Sequence, residues 1–177
     1  MTRPSTSSKR LRTSSSATKS SVPAWLTIAR SYVGLKEIPG RSLHNPTVLG
    51  WLKRYALNIG KWGQARDETP WCAVFVSHCL EEAGYKSTRD ARAVSYKTFG
   101  KPSKFNQGAI IVIQRKNKKS KNITGSNRGG YHVFFLDKVT KNFYWGWGGN
   151  QKNSVSRAAY SKANYQLVAV RWPAERS

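Results

Sequence analysis

The hydrophobic pattern divides the chain in two. Between residues 22 and 100 apolar positions recur at helical spacing, and after Gly100 they gather into the short runs expected of strands. In "SVPAWLTIARSYVG", Trp25, Ile28, Ala29 and Tyr32 share one helix face, with Pro23 suited to the first helical position and Gly34 to the end. "HNPTVLGWLKRYAL" predicts a second helix, with Asn45 as N-cap, Pro46 at N1 and an inner face of Val48, Leu49, Leu52 and Tyr55. "ETPWCAVFVSHCLEEAGY" predicts a third, closed by Gly84. "STRDARAVSYKTFG" predicts a fourth, from Ser87 or Thr88 to Gly100. Beyond it "GAIIVIQR", "YHVFFLDKV", "NFYWGWGG" and "QLVAVRWP" predict four strands. Helices first and strands afterwards imply an α+β fold, its N-terminal helices packed on a C-terminal antiparallel β-sheet.

Two stretches fall outside this pattern. Residues 1–21 are rich in Ser and Thr, contain five basic residues and no acid, and cannot bury enough apolar surface to order themselves. They read as a disordered basic arm before a folded domain over 22–177. "KNKKSKNITGSNRGG", between the first two predicted strands, is too long for a tight hairpin and carries Lys116, Lys118, Lys119 and Lys121. Both stretches belong to a chain with 31 Lys and Arg against 8 Asp and Glu, a net charge of +23. Such a field points to polyanionic partners: nucleic acid, anionic lipid or the charged polymers of bacterial envelopes. No apolar run approaches the ~20 residues of a membrane span. The N-terminus lacks the apolar core of a secretory signal, so synthesis and retention in a cytoplasm are expected unless something releases the protein.

The candidate chemistry starts at Cys72. With Thr69 as N-cap, Pro70, Trp71 and Cys72 occupy N1, N2 and N3, which sets a thiol at the positive end of a helix dipole. That address favours a thiolate nucleophile with a pKa below the free value of ~8.5. Cys79 lies ~10.5 Å further along the same helix. A disulfide needs Cα atoms within ~4.4–6.8 Å, so both thiols are expected to be free. A nucleophilic thiol needs a base, and the chain has three histidines. His78 is turned ~240° from Cys72 around the helix and reads as a packing or surface residue, and His44 has no companion motif. His132, at the start of the second strand after a glycine pair, is the remaining candidate. Asn150 and Gln151, after the glycine pair of "WGWGGNQ", can orient its ring if the second and third strands form a hairpin. The histidines and cysteines lack zinc-ligand spacing, and no metal or other cofactor is expected.

"TPWCAVFVSHCLEEAGY", preceded by "GLKEIPG" and followed by "ARAVSYKTFG", "GAIIVI", "YHVFFL" and "GGNQ", resembles the papain-like clan of bacterial and phage cell-wall hydrolases. This clan contains the NlpC-type and CHAP (cysteine, histidine-dependent amidohydrolase/peptidase) domains. The resemblance spans about residues 24 to 172. It implies a papain-like fold and cleavage of peptidoglycan amide bonds through a thioester. It further implies Cys72 as nucleophile, His132 as base and Asn150 as orienting residue. Glu68, four residues before Cys72, rivals Asn150 for the third role, and Gln151, Trp71 and Tyr131 are supporting candidates. Tyr131 stands where the clan usually has glycine, which narrows the approach to His132.

Two functions stay open at this point. One is a bacteriolytic amidase or endopeptidase that meets peptidoglycan and anionic envelope polymers after release from a host cytoplasm, or is carried by a virion. The other is a basic nucleic-acid-binding or virion structural protein that retains the fold, using its arm and the lysines of the long loop.

Overall fold

A computed structural model gives the fold and describes residues 22–38, 44–57, 70–116 and 130–174. The N-terminal arm, Glu68, Thr69, Lys118, Lys119 and Lys121 lie outside the described residues. Among the described residues the architecture is α+β, with three α-helices packed on a six-stranded antiparallel sheet. The helices are α1 (Ala24–Ser31), α2 (Pro46–Tyr55) and α3 (Cys72–Glu82). The strands are β1 (Lys101–Pro102), β2 (Ile110–Arg115), β3 (Tyr131–Val139), β4 (Phe143–Gly148), β5 (Ser156–Ser161) and β6 (Tyr165–Trp172), in the order β1-β6-β2-β3-β4-β5.

Local chemistry accounts for the helix starts. Asn45 caps α2 by accepting from the N–H groups of Thr47 and Val48, as its position before Pro46 predicts. The carbonyl of Pro23 opens α1, accepting from Leu26 and Thr27. The inner face of α2 differs in one place from the expected set: Trp51 is buried with Val48, Leu52 and Tyr55, and Leu49 is only partly covered.

The fourth predicted helix is not an α-helix. Only a 3-10 segment forms, over Ala93–Thr98, because side chains of the preceding residues hold the backbone in other shapes. Arg89 sits at φ 47°, the Ser87 hydroxyl takes the Arg89 N–H, and the Asp90 carboxylate takes the Arg92 N–H. The four predicted strands form, and β1 and β5 add to them.

The sheet cannot be flat. Through Gln114, Gln166 lies level with Tyr131, and through Tyr144, Tyr160 lies level with Val139, at the other end of β3. On a flat sheet β5 and β6 would be ~19 Å apart sideways, four strand spacings, with a further ~26 Å of stagger. The connection over residues 162–164 can span only ~14 Å. Tilt and curl remove the difference, as in the closure of a barrel. The Tyr160 and Tyr165 rings meet edge to face, with centroids 5.3 Å apart.

The curl creates two cores. Inside it lie Ala109, Ile111, Ile113, Phe134, Leu136 and Tyr144. Outside, Ile110, Val112, Val133 and Phe135 pack against the helices. With both faces of β2 covered, Ile110 to Ile113 are fully buried, which explains the unbroken apolar run.

Two glycines should respond oppositely to alanine. A Cβ on Gly146 would lie 2.6 Å from the Phe135 carbonyl oxygen and overlap the Phe134 ring, whereas one on Gly50, exposed on α2, meets nothing. Gly146→Ala is expected to destabilise by ~1–3 kcal/mol through overpacking. Gly50→Ala should stabilise by ~0.5–1 kcal/mol through helix propensity. Urea midpoints of the two variants against the parent protein check both signs.

Candidate active site

The site forms where β3 and β4 part. Their pairing runs from Val139↔Tyr144 to Phe135↔Trp147 and stops there, although β3 continues to Tyr131 beside β2. Leu136 directs its N–H and C=O towards β2, so strand alternation turns those of Val133 towards the place β4 has left. The Cys72 thiol fills that place and accepts from the Val133 N–H, with the Ala73 and Cys72 N–H groups also directed at it.

The N-terminus of α3 reaches this gap because Gly149 has no side chain. A Cβ there would lie 2.5 Å from Trp71 Cζ3 and 2.6 Å from Phe75 Cβ. Trp71 is fully buried and donates its indole N–H to Glu37 Oε1 at 2.8 Å. The segment carrying Glu37 pairs with residues 153–155, through Gly34 N–H to Val155 O, Val155 N–H to Leu35 O, and Glu37 N–H to Asn153 O. Three quoted stretches, "GLKE", "WC" and "GGNQ", therefore meet at one place.

Cys72 is the first residue of α3 rather than its third. Trp71 is the N-cap, with φ −112° and ψ 15°, and makes no side-chain cap. The thiol is also not a resting thiolate. Burial pushes its pKa up to about 11, outweighing the backbone N–H groups that favour the anion. The expected depression is reversed because Cys72 is only 5% exposed and loss of water outweighs the helix terminus.

His132 stands beside Val133 but faces the interior of the curl. Its ring lies over Phe134 and against Tyr160, with centroids 5.8 and 5.1 Å away. Its Nε2 is 3.3 Å from Gln151 Oε1. The Gln151 amide is oriented by donating its Nε2–H to the Ser156 carbonyl, so Oε1 is the acceptor for both the Tyr160 hydroxyl, at 2.8 Å, and His132. An acceptor there requires the proton on His132 Nε2 and leaves Nδ1 with its lone pair. Burial lowers the pKa of His132 to about 4, so imidazole and thiol are both neutral at pH 7. Among the described residues no hydrogen bond joins them directly.

The partner of His132 is thus Gln151, not Asn150. Asn150 adopts φ 55° at the turn and lines the same cleft, but the side chain that swings onto the imidazole is the next one. The cleft, of about 860 Å³, is also lined by Tyr131, Tyr160, Tyr165, Arg115 and Lys152, and Cys72 does not reach its surface.

His78 is a packing residue. It is stacked on Trp51 at 4.7 Å, its Nε2 is 3.0 Å from the Tyr32 hydroxyl, and burial lowers its pKa. Cys79 is fully buried, with its pKa raised well above the ordinary value, and both cysteines are free. Lys116 is exposed, and its ammonium rests on the Lys162 carbonyl at 2.8 Å. Among the described residues no group of three His, Cys, Asp or Glu could hold a metal ion, and no helix is long and apolar enough to cross a membrane. Sequence reasoning passed over Glu37 and Tyr160. Glu37 lay in a stretch quoted only for its resemblance, and Tyr160 lay in an unpredicted strand. No protein-family model matches the chain, and no curated protein matches it.

Two measurements follow from the ionisation states. Iodoacetamide labelling of Cys72 should be slow at pH 7.5 and rise about tenfold per pH unit towards pH 11, with Cys79 slower throughout. A plateau near pH 8 would contradict the raised thiol. The folded-state pKa of His132 lies below the unfolded value, so its contribution is complete above pH 6.5 and is lost as pH falls to about 4. That loss is on the order of 3 kcal/mol. Urea midpoints of the parent should fall across this window, and His132→Gln should flatten the slope although His78 titrates in the same direction.

Proposed function

We propose that this protein is a cysteine-dependent amide hydrolase of the papain-like cell-wall clan, acting on peptidoglycan. The observation that carries the reading is the pairing of two adjacent β3 residues with separate parts of one site. Val133 gives its N–H to the Cys72 thiol, and His132 is held through Nε2 by Gln151. A buried cysteine that merely filled space would not need the neighbouring imidazole to be held in one tautomer.

In this reading His132 Nδ1 takes the thiol proton as sulfur attacks the amide carbonyl carbon. Because both groups rest neutral, proton transfer accompanies C–S bond formation instead of preceding it. The Cys72 N–H, at the start of α3, is placed to donate to the developing oxyanion. The C–N bond then breaks, His132 returns its proton to the leaving nitrogen, and a thioester remains. Water, deprotonated by Nδ1, cleaves the thioester and restores the thiol. Gln151 holds the ring throughout, and Tyr160 fixes Gln151. Release from a host cytoplasm, or carriage by a virion, would bring the enzyme to the wall, and its charge would favour association with anionic envelope polymers.

One observation favours a second reading, a basic binding protein that retains the fold. The burial and raised pKa of Cys72 are those of an ordinary core cysteine. Turbidity loss of purified peptidoglycan separates the two. The hydrolase reading expects lysis by the parent protein and none by Cys72→Ala. His132→Ala should lose ~10²–10⁴-fold in turnover. Gln151→Ala should lose ~10-fold or more, and Asn150→Ala much less, because only Gln151 orients the ring. Absence of lysis by the parent under all salt conditions would select the binding protein.

A further inference from the structure

Five consecutive residues of β5, Ser156 to Tyr160, line the cleft. Successive side chains of a strand point to opposite faces, so a surface shared by all five is the strand's edge and not one of its faces. β5 is the last strand of the sheet. Lys162 directs its N–H inward to Asn142, so alternation turns the N–H and C=O groups of Arg157 and Ala159 outward. Across the seam stand Tyr165, at the start of β6, and Arg115, at the end of β2. One Arg115 nitrogen donates to the Tyr165 hydroxyl at 3.2 Å, and the guanidinium lies 5.7 Å from the centre of that ring. Lys152 is exposed on the same wall. The Arg157 guanidinium is turned away and paired with Asp137, so this residue offers its backbone and not its charge. No carboxylate lines the cleft among the described residues.

We infer that this seam binds an extended peptide bearing a free carboxylate. One peptide group of the ligand pairs with the outward N–H and C=O of Arg157 and Ala159, in the manner of strand addition. Its carboxylate meets Arg115, with Lys152 adding attraction, in the cleft that His132 and Gln151 also line. The inference rests on the hydrolase reading only for the identity of the ligand as the peptide arm of peptidoglycan. The outward groups serve a stretch of about three residues, which suits a short peptide better than a long polymer.

The test is calorimetric titration of full-length Cys72→Ala protein, which cannot turn over, with a soluble stem peptide and with the same peptide as its C-terminal amide. Binding of the acid is expected to be about tenfold tighter than that of the amide. Arg115→Gln should abolish that difference, since it removes the partner that reads the carboxylate. Ala159→Pro, which deletes one outward N–H at an edge where proline is tolerated, should weaken both peptides about tenfold. Amide hydrogen exchange tests the pairing without any variant: the Arg157 and Ala159 N–H groups should exchange more slowly with peptide bound. Equal binding of acid and amide, or unchanged exchange at both residues in the saturated complex, overturns the inference. So would tighter binding of a glycerol phosphate oligomer that is indifferent to Ala159→Pro. Because this binding is measured without turnover, its failure leaves the lysis experiment intact, and failure of lysis leaves the seam to stand or fall alone.

Discussion

One backbone N–H decides where the site lies. When β4 leaves β3 after Phe135, the Val133 N–H loses its strand partner, and a buried donor without an acceptor costs about 1–3 kcal/mol. The Cys72 sulfur takes the place of the missing strand. That substitution fixes the N-terminus of α3 against the sheet, and the bare backbone at Gly149 allows the approach. Trp71, bonded to Glu37, seals the same joint from the side of the N-terminal segment. Helix layer, sheet and the loop after β4 are thereby locked at a single point, with Cys72 and His132 beside it.

Curling of the sheet explains why the thiol and imidazole occupy different surroundings. Alternation on β3 sends Val133 outward to the helices and His132 inward to the aromatic interior. Only at the end of the strand, where the wall opens, do the two sides come within a residue of each other. The stagger that closes the curl also leaves β5 and β6 unpaired, so the mouth extends into a seam. In the proposed hydrolase the chemistry is set in the wall, and the surface that would recognise substrate runs along an edge the fold leaves open.

Much of this was legible in the sequence, and the failures have physical causes. Asn45 before Pro46 names its own role, because cap chemistry is local. The strands over 110–115 and 131–139 declare themselves by buried apolar runs. β5 does not: "SRAAYS" alternates exposed and half-buried positions with small or polar residues, and its pairing comes from β4 rather than from its own propensity. The sequence order of cysteine, histidine and polar residue after a glycine pair picked out Cys72, His132 and Gln151, which the fold brings to one end of β3. The hydrogen bond to His132 falls to Gln151 and not to Asn150, a difference the sequence does not show because neighbouring residues at a turn differ by direction alone. The left-handed backbone at Asn150, a conformation asparagine tolerates, sends the following side chain onto the imidazole. At Cys72 the backbone N–H groups at the helix start do favour the anion, but the burial that opposes them depends on residues far away in the chain.

The same competition settles what the large positive charge can do. A net charge of +23 should favour a thiolate over a thiol, but exposed charges act through a Debye length of ~8 Å at physiological ionic strength. Desolvation acts at the sulfur itself, in a residue only 5% exposed, and no basic side chain figures among the groups that set the thiol's pKa. Burial wins, and the thiol stays protonated in a strongly cationic protein. In the proposed hydrolase charge would therefore govern encounter with an anionic partner, whereas the local wall governs ionisation. In the proposed hydrolase the nucleophile would have to be generated within the closed site, by transfer to an imidazole whose free nitrogen is fixed by Gln151, because the field of the protein does not supply a thiolate beforehand.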